Sequence, residues 1–188
     1  MADTLAPGFL VAAPSLRDPS FVRSVVMLVE HGKDGSLGFV INRVAAISFA
    51  QVAELLSLEG EGAIQTPVYS GGPVAPQSGW ILFDPEGVSE AVREDAVVVS
   101  EHLCVSASRK LLSAIARGEG PKRSLLALGY AGWGAGQLDA EMKLGIWIPV
   151  DLDDEIVFDT PADERWTAAL TGAGIDPARM SGGGGFSA

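Results

Sequence analysis

The chain has 188 residues, 47% of them hydrophobic and 20% charged, enough for one domain with a sizeable core. Its 13 Lys and Arg stand against 24 Asp and Glu, a net charge of −11. That balance, with no long basic run, argues against direct binding of DNA or RNA through phosphates, and a single cysteine excludes an internal disulfide.

In chain order, residues 8–13 read as a first strand. Asp18-Pro19 is a turn or a helix start, because Asp caps and Pro suits the first helical position. Residues 24–30 and 36–42 are β-rich runs around Gly32-Lys33-Asp34-Gly35, a hairpin. Both runs are apolar at successive positions, which implies cover on both faces of the sheet. Ser48 and Gln51 have capping-box spacing and open a helix to about Leu58. Val52, Leu55 and Leu56 form its expected inward face, and Gly60 and Gly62 end it. Residues 67–70 and 79–83 are short strands around Gly71-Gly72-Pro73, and 96–100 is another. A helix over about 106–117 turns Leu111, Leu112 and Ile115 inward and stops at Gly118. Residues 124–128 read as a strand, about 136–143 as a helix, and 145–149 and 156–158 as strands. Thr160-Pro161 then caps a helix through Trp166 and Leu170 to Gly172. Helices and strands are interspersed without a βαβ rhythm, so the fold class is α+β with a mixed sheet. Residues 1–180 form the single domain, and 181–188 a Gly-rich flexible tail.

The N-terminus has no positive segment, its apolar piece is too short for a signal sequence, and no run approaches the ~20 apolar residues of a membrane helix. These features predict a soluble, cytoplasmic protein with no membrane partner.

The densest motif is Gly129-Tyr130-Ala131-Gly132-Trp133-Gly134-Ala135-Gly136-Gln137-Leu138. Four glycines around Tyr130 and Trp133, between a strand and a helix, suggest a built surface loop. Backbone N–H groups from Gly134 to Gln137 suit an anion at the helix start. The same stretch, with Asp151 after the next strand, imitates a dinucleotide fingerprint, although its third glycine falls one residue early. His31 and His102 each follow a glutamate, but strand neighbours point to opposite faces, so one pair supplies a metal poorly. Ser100-Glu101-His102 near Cys104 is triad-like in order only. Cys104 reads as a small packed hydrophobe. The carboxylates from Asp151 to Glu155 lack the glycine and terminal glutamate of a calcium loop and read as solvated.

Taken together, the marks Gly8-Phe9-Leu10-Val11-Ala12-Ala13-Pro14, Asp18-Pro19-Ser20-Phe21, Ser24-Val25-Val26, Glu30-His31, Gly35, Gly38, Asn42, Gly71-Gly72-Pro73, the stretch from Gly129 to Trp133, Gly136-Gln137-Leu138, Glu141, Trp147 and Arg165-Trp166 resemble the YqgE/AlgH family of bacterial proteins. The resemblance runs from about residue 8 to residue 175. It implies a mixed sheet curled into a pseudo-barrel with flanking helices, a place in the bacterial cytosol, and no established catalytic residue. Some members carry a transcriptional-regulator label. Phe83 stands where many relatives have His, and Val29 where many have Cys.

The leading expectation is a non-catalytic regulatory or binding module for a protein or small ligand, with no cofactor and no metal. Its candidate residues are Tyr130, Trp133, Gly134, Gly136, Gln137, Gly71 and Gly72, joined by Glu30, His31, Asn42 and Asp18. The rival is an enzyme with a site built on Glu30, His31 and Asn42, or on Asp18, if these converge. A dinucleotide-binding protein using Gly132 to Gly136 is the third reading.

Overall fold

The computed structural model describes residues 4–60 and 65–181; Gly62 and residues 182–188 of the Gly-rich tail lie outside them. In chain order the elements are β1 (Gly8–Ala12), β2 (Val25–Gly32), β3 (Gly35–Val40), α1 (Phe49–Leu55), β4 (Val68–Ser70), β5 (Val74–Phe83), α2 (Glu90–Arg93), β6 (Val97–Ser100), β7 (Leu103–Ser106), α3 (Arg109–Ala116), β8 (Ser124–Trp133), α4 (Gln137–Lys143), β9 (Trp147–Val150), α5 (Asp154–Phe158), α6 (Arg165–Gly172) and α7 (Pro177–Ser181). They fall into two compact units, one from the described residues of 1–42 and 131–188, the other from those of 43–130.

In the first unit β1 lies between β2 and β9, antiparallel to both, with Leu10 opposite Val26 and Pro149. All five residues of β1 are buried. That is the double cover which the unbroken apolar run demands. Strands β2 and β3 form the expected hairpin, and the pairing of Gly32 with Gly35 leaves Lys33-Asp34 as a two-residue turn. The end of β8 adds to β3, with Ser36 opposite Trp133 and Gly38 opposite Ala131. Helix α6 packs on β1. Its Trp166 Nε1 donates to the Ala12 carbonyl at 2.8 Å, while the buried Arg165 donates to the carbonyls of Thr160 and Ile41.

In the second unit residues 124–130 of β8 pair antiparallel with β5 and parallel with β4, then β5 pairs with β7 and β7 with β6. Helices α1 and α3 cover a core of Phe49, Val52, Ile81, Phe83, Leu111 and Ile115, among others. The capping box is present: Ser48 Oγ accepts from Gln51 N at 3.2 Å, and Gln51 Oε1 accepts from Ser48 N at 2.9 Å. The fold is α+β with a mixed sheet, and among the described residues the strand ladder of neither unit closes on itself.

Five local expectations need correction. Strand β8 runs on to Trp133, because β3 offers it a partner beyond Leu128. The helix expected from about residue 106 starts only after its Ser108 cap, and residues 103–106 pair with β5 and β6 as β7. Residues 156–158 are helical because the Asp153 side chain accepts from Glu155 N at 3.0 Å and starts α5. Helix α1 buries Phe49 and Val52 and leaves Leu55 75% exposed, so its inward face is set one turn earlier than expected. Helices α2 and α7, four and five residues long, are too short for helical periodicity to register.

Gly129 has φ +77°, and a Cβ there would sit 2.5 Å from the Gly72 carbonyl oxygen and 2.9 Å from that of Val74. Gly136 has φ +73° with nothing within 4 Å. Strain alone costs ~1–2 kcal/mol, and forced backbone movement adds a similar amount. Urea unfolding should therefore show Gly129→Ala losing about 3 kcal/mol and Gly136→Ala only about 1 kcal/mol.

Candidate functional site

A cleft opens at the β2–β3 hairpin. It has a volume of about 480 Å³ and is lined by Glu30, His31, Lys33, Asp34, Ser36 and Trp133, among others. Gly35, at φ +135°, lets the Trp133 carbonyl come close, since a Cβ at Gly35 would lie 2.5 Å from that oxygen. His31 faces Ser36 directly across the hairpin. Its Nδ1 is 2.7 Å from Ser36 Oγ, and its Nε2 is 3.3 Å from Asp139 Oδ1 on α4. Serine, histidine and aspartate thus follow one another as in a hydrolase relay, but with the two ring nitrogens exchanged. The Ser36–His31 contact is one any directly opposed cross-strand pair makes, and the Asp139 side chain is 56% exposed rather than buried behind the ring. The arrangement fixes the imidazole at both ring nitrogens.

Trp133 is the inner wall of this cleft and not a displayed aromatic, being 7% exposed. Its ring stacks on Phe21 at 6.4 Å and meets Trp147 edge-on at 5.8 Å. Both indoles donate to one oxygen: Glu141 Oε2 accepts from Trp133 Nε1 at 2.9 Å and from Trp147 Nε1 at 2.8 Å. The other oxygen, Oε1, accepts from Gln137 Nε2 at 3.1 Å, and Gln137 Oε1 accepts from Gly134 N at 3.0 Å. The Gly134 amide is therefore already engaged and is not open to an anion. Gly136 serves as the left-handed N-cap of α4. Glu141, a family mark to which the sequence reading gave no role, is the organising residue. Its i,i+4 spacing from Gln137 is visible in the sequence, but nothing there ties Trp147 to Trp133.

The remaining candidates serve the backbone. Asn42 Oδ1 accepts from Val25 N at 2.9 Å and its Nδ2 donates to the Arg23 carbonyl at 2.8 Å. Asp18 Oδ1 accepts from Ser20 N at 2.8 Å and closes a turn. Gly71 N donates to the Leu128 carbonyl at 2.8 Å, and the Gly72 carbonyl is the one crowded against Gly129. Tyr130 is half-buried within β8, opposite Val74. Of the predicted residues the structure thus brings Glu30, His31 and Trp133 to one cleft, with Gly134, Gly136 and Gln137 supporting Trp133. Asn42 and Asp18, which the enzyme reading adds to Glu30 and His31, bond to backbone groups instead. The dinucleotide reading loses its fold context. Strand β9, which follows α4, pairs antiparallel with β1, and the one parallel pair among the described residues is β4 with β8.

A family model described as AlgH-like matches residues 9–178. The chain belongs to the AlgH-like family. It is 45% identical over 187 residues to a UPF0301 protein of Anaeromyxobacter dehalogenans, covering 96% of this chain and 94% of that one. It is 42% identical over 178 residues to a UPF0301 protein of Hahella chejuensis, covering 95% and 94%. The solution structure of the AlgH protein from Pseudomonas aeruginosa matches with a TM-score of 0.78 and 37% identity, over 100% of this chain and 98% of that one. A crystal structure of a Corynebacterium diphtheriae protein matches with a TM-score of 0.70 over 89% and 86%; at 22% identity it supports the fold alone. Among the described residues no helix is long and apolar enough to cross a membrane.

A second polar cluster in this AlgH-like chain escapes sequence reading because its members are far apart along the chain. Asp84, 4% exposed, follows β5. Its Oδ2 lies 3.2 Å from an Arg123 guanidinium nitrogen and 3.6 Å from His102 Nδ1, while Oδ1 accepts from Glu86 N at 3.0 Å. This pairs the buried carboxylate and anchors the turn after β5. Cys104 lies in β7 opposite Phe83, and both are buried. Burial pushes the Cys104 thiol above the ordinary thiol range; Arg93 pulls it down and Asp84 pushes it up, each by less. Among the described residues no three His, Cys, Asp or Glu side chains gather as a metal site would.

Removing the Glu141 carboxylate leaves two indole N–H groups unpaired. Glu141→Ala should cost about 3 kcal/mol in urea unfolding and flatten the near-UV circular dichroism, with Glu141→Gln losing clearly less. The Cys104 thiol should resist iodoacetamide in the native protein at pH 8 and react at once in denaturant. Because its folded pKa is raised, the native state holds that proton where the unfolded state releases it. The stability so gained is complete below the unfolded thiol's pKa and should be lost as pH rises through the alkaline range. A Cys104→Ala comparison of unfolding midpoints against pH measures the difference.

Proposed function

We propose that this AlgH-like chain is a non-catalytic regulatory module that binds a protein segment or a small ligand in the hairpin cleft. One observation carries the reading: both ring nitrogens of His31 are engaged, by Ser36 at 2.7 Å and Asp139 at 3.3 Å, beside the braced Trp133. A ring held at both nitrogens also occurs in catalytic relays, but there the carboxylate is buried, whereas Asp139 here is 56% exposed. A recognition group benefits instead from being fixed before the ligand arrives. Lys33, Asp34 and Glu30 add charges of both signs around an aromatic wall, the mixture that orients a ligand in a largely preformed cleft. The net charge of −11 directs regulation through a protein or metabolite and away from DNA. A cytoplasmic setting, with no cofactor, belongs to the same reading.

The test is to add low-mass and macromolecular fractions of bacterial cytosol separately to ¹⁵N-labelled protein and follow amide and indole resonances. We expect shifts gathered at residues 30–37 and the Trp133 indole, absent in the doubly substituted His31→Ala, Lys33→Ala protein. Shifts that never touch the hairpin, or a component of the extract consumed over time, would refute the proposal.

A further inference from the structure

Strand β6 is an edge. Among the described residues it pairs with β7 alone, through Val97 opposite Val105, Val98 opposite Cys104 and Ser100 opposite Leu103. Its outer side therefore presents a row of backbone donors and acceptors. Val97 and Val98 are 55% and 74% exposed. Successive strand residues point to opposite faces, so both faces of this edge are apolar and uncovered. Native proteins blunt such an edge with lysine, proline, a bulge or a short strand. The sequence here, Val97-Val98-Val99-Ser100, has neither lysine nor proline, and only its four-residue length and the register irregularity after Val98 limit the edge. The exposed charges that flank the strand in sequence are acidic. Exposed Glu90, Glu94 and Asp95 lead into it and exposed Glu101 leads out, while the nearest cation in sequence, Arg93, is half-buried.

We infer that β6 takes up an extended basic segment of another protein as an added strand. Apolar residues of that segment lie opposite Val97 and Val98, and Lys or Arg at its two ends meet Asp95 and Glu101. Main-chain hydrogen bonds supply the affinity of such strand addition, and the flanking charges its selectivity. A second copy of this chain fits poorly. Antiparallel pairing centred on Val98 would set Asp95 of each copy against Glu101 of the other; a shift by one residue sets Glu94 there in one direction and Asp95 opposite His102 in the other. Like charges directly opposite are destabilising, and each copy carries a net charge of −11. The surface lies within residues 90–106 and stands whether or not the hairpin cleft binds anything.

The probe is a fluorescein-labelled peptide with a Thr-Val-Val-Val-Thr centre and two lysines at each end, compared by anisotropy with its glutamate-flanked twin. We expect the full-length protein to bind the lysine peptide at least about tenfold tighter than the twin, with an affinity that falls as salt is raised. Val98→Lys, at an exposed position that should leave the melting temperature unmoved, should weaken binding about tenfold or more. Asp95→Lys combined with Glu101→Lys should reverse the preference between the peptides. No binding, equal binding of both peptides, or binding indifferent to Val98→Lys would overturn the inference. So would a dimer in sedimentation that Val98→Lys dissolves, since that outcome gives the edge to a second copy.

Discussion

The first unit is organised around one carboxylate. Two buried indoles, Trp133 at the end of β8 and Trp147 at the start of β9, each bring an N–H group that the core cannot leave unpaired. Glu141 answers both with a single oxygen and spends the other on Gln137, which in turn holds the Gly134 amide. Strand, helix and following strand are thereby fixed to each other through one side chain. The hairpin cleft inherits this order, because its wall is Trp133 and its imidazole is held by Asp139, which lies between Gln137 and Glu141 on α4.

Elements whose signal is local were legible in the sequence. The capping box at Ser48 and Gln51, the hairpin around Lys33-Asp34, the apolar first strand and the Gly118 stop after α3 each depend on neighbours within a few residues. Errors gathered where a distant partner decides. Nothing between Gly129 and Trp133 announces that β3 will extend β8, so a glycine-rich strand reads as a loop. Nothing in Leu103 to Ser106 announces that β5 and β6 will clasp it on both sides.

The candidate site was half legible for the same reason. Glu30, His31 and Trp133 were singled out for separate reasons, and only the fold puts them at one cleft. The glycines of the two motifs were read as freedom to present a surface. Their work is the reverse: Gly71, Gly72 and Gly129 let one backbone pass tightly over another. The polar marks of the family pattern, Asn42, Glu141 and Arg165, likewise turn inward to satisfy backbone and indole groups. A signature made of internal braces reports a fold strongly and a chemistry weakly.

The placement of β1 bears on how the chain is made. Its five apolar residues gain one neighbour from β2 almost at once, but the other, β9, begins only at Trp147, and the Trp166 bond to Ala12 comes later still. From Ala12 to Trp147 the ribosome adds 147 − 12 = 135 residues, which at ~5–20 residues per second takes roughly 7–27 s. Through that interval the nascent polypeptide carries an open apolar edge at its N-terminal end. The strand that gains β2 first thus waits longest for its second neighbour.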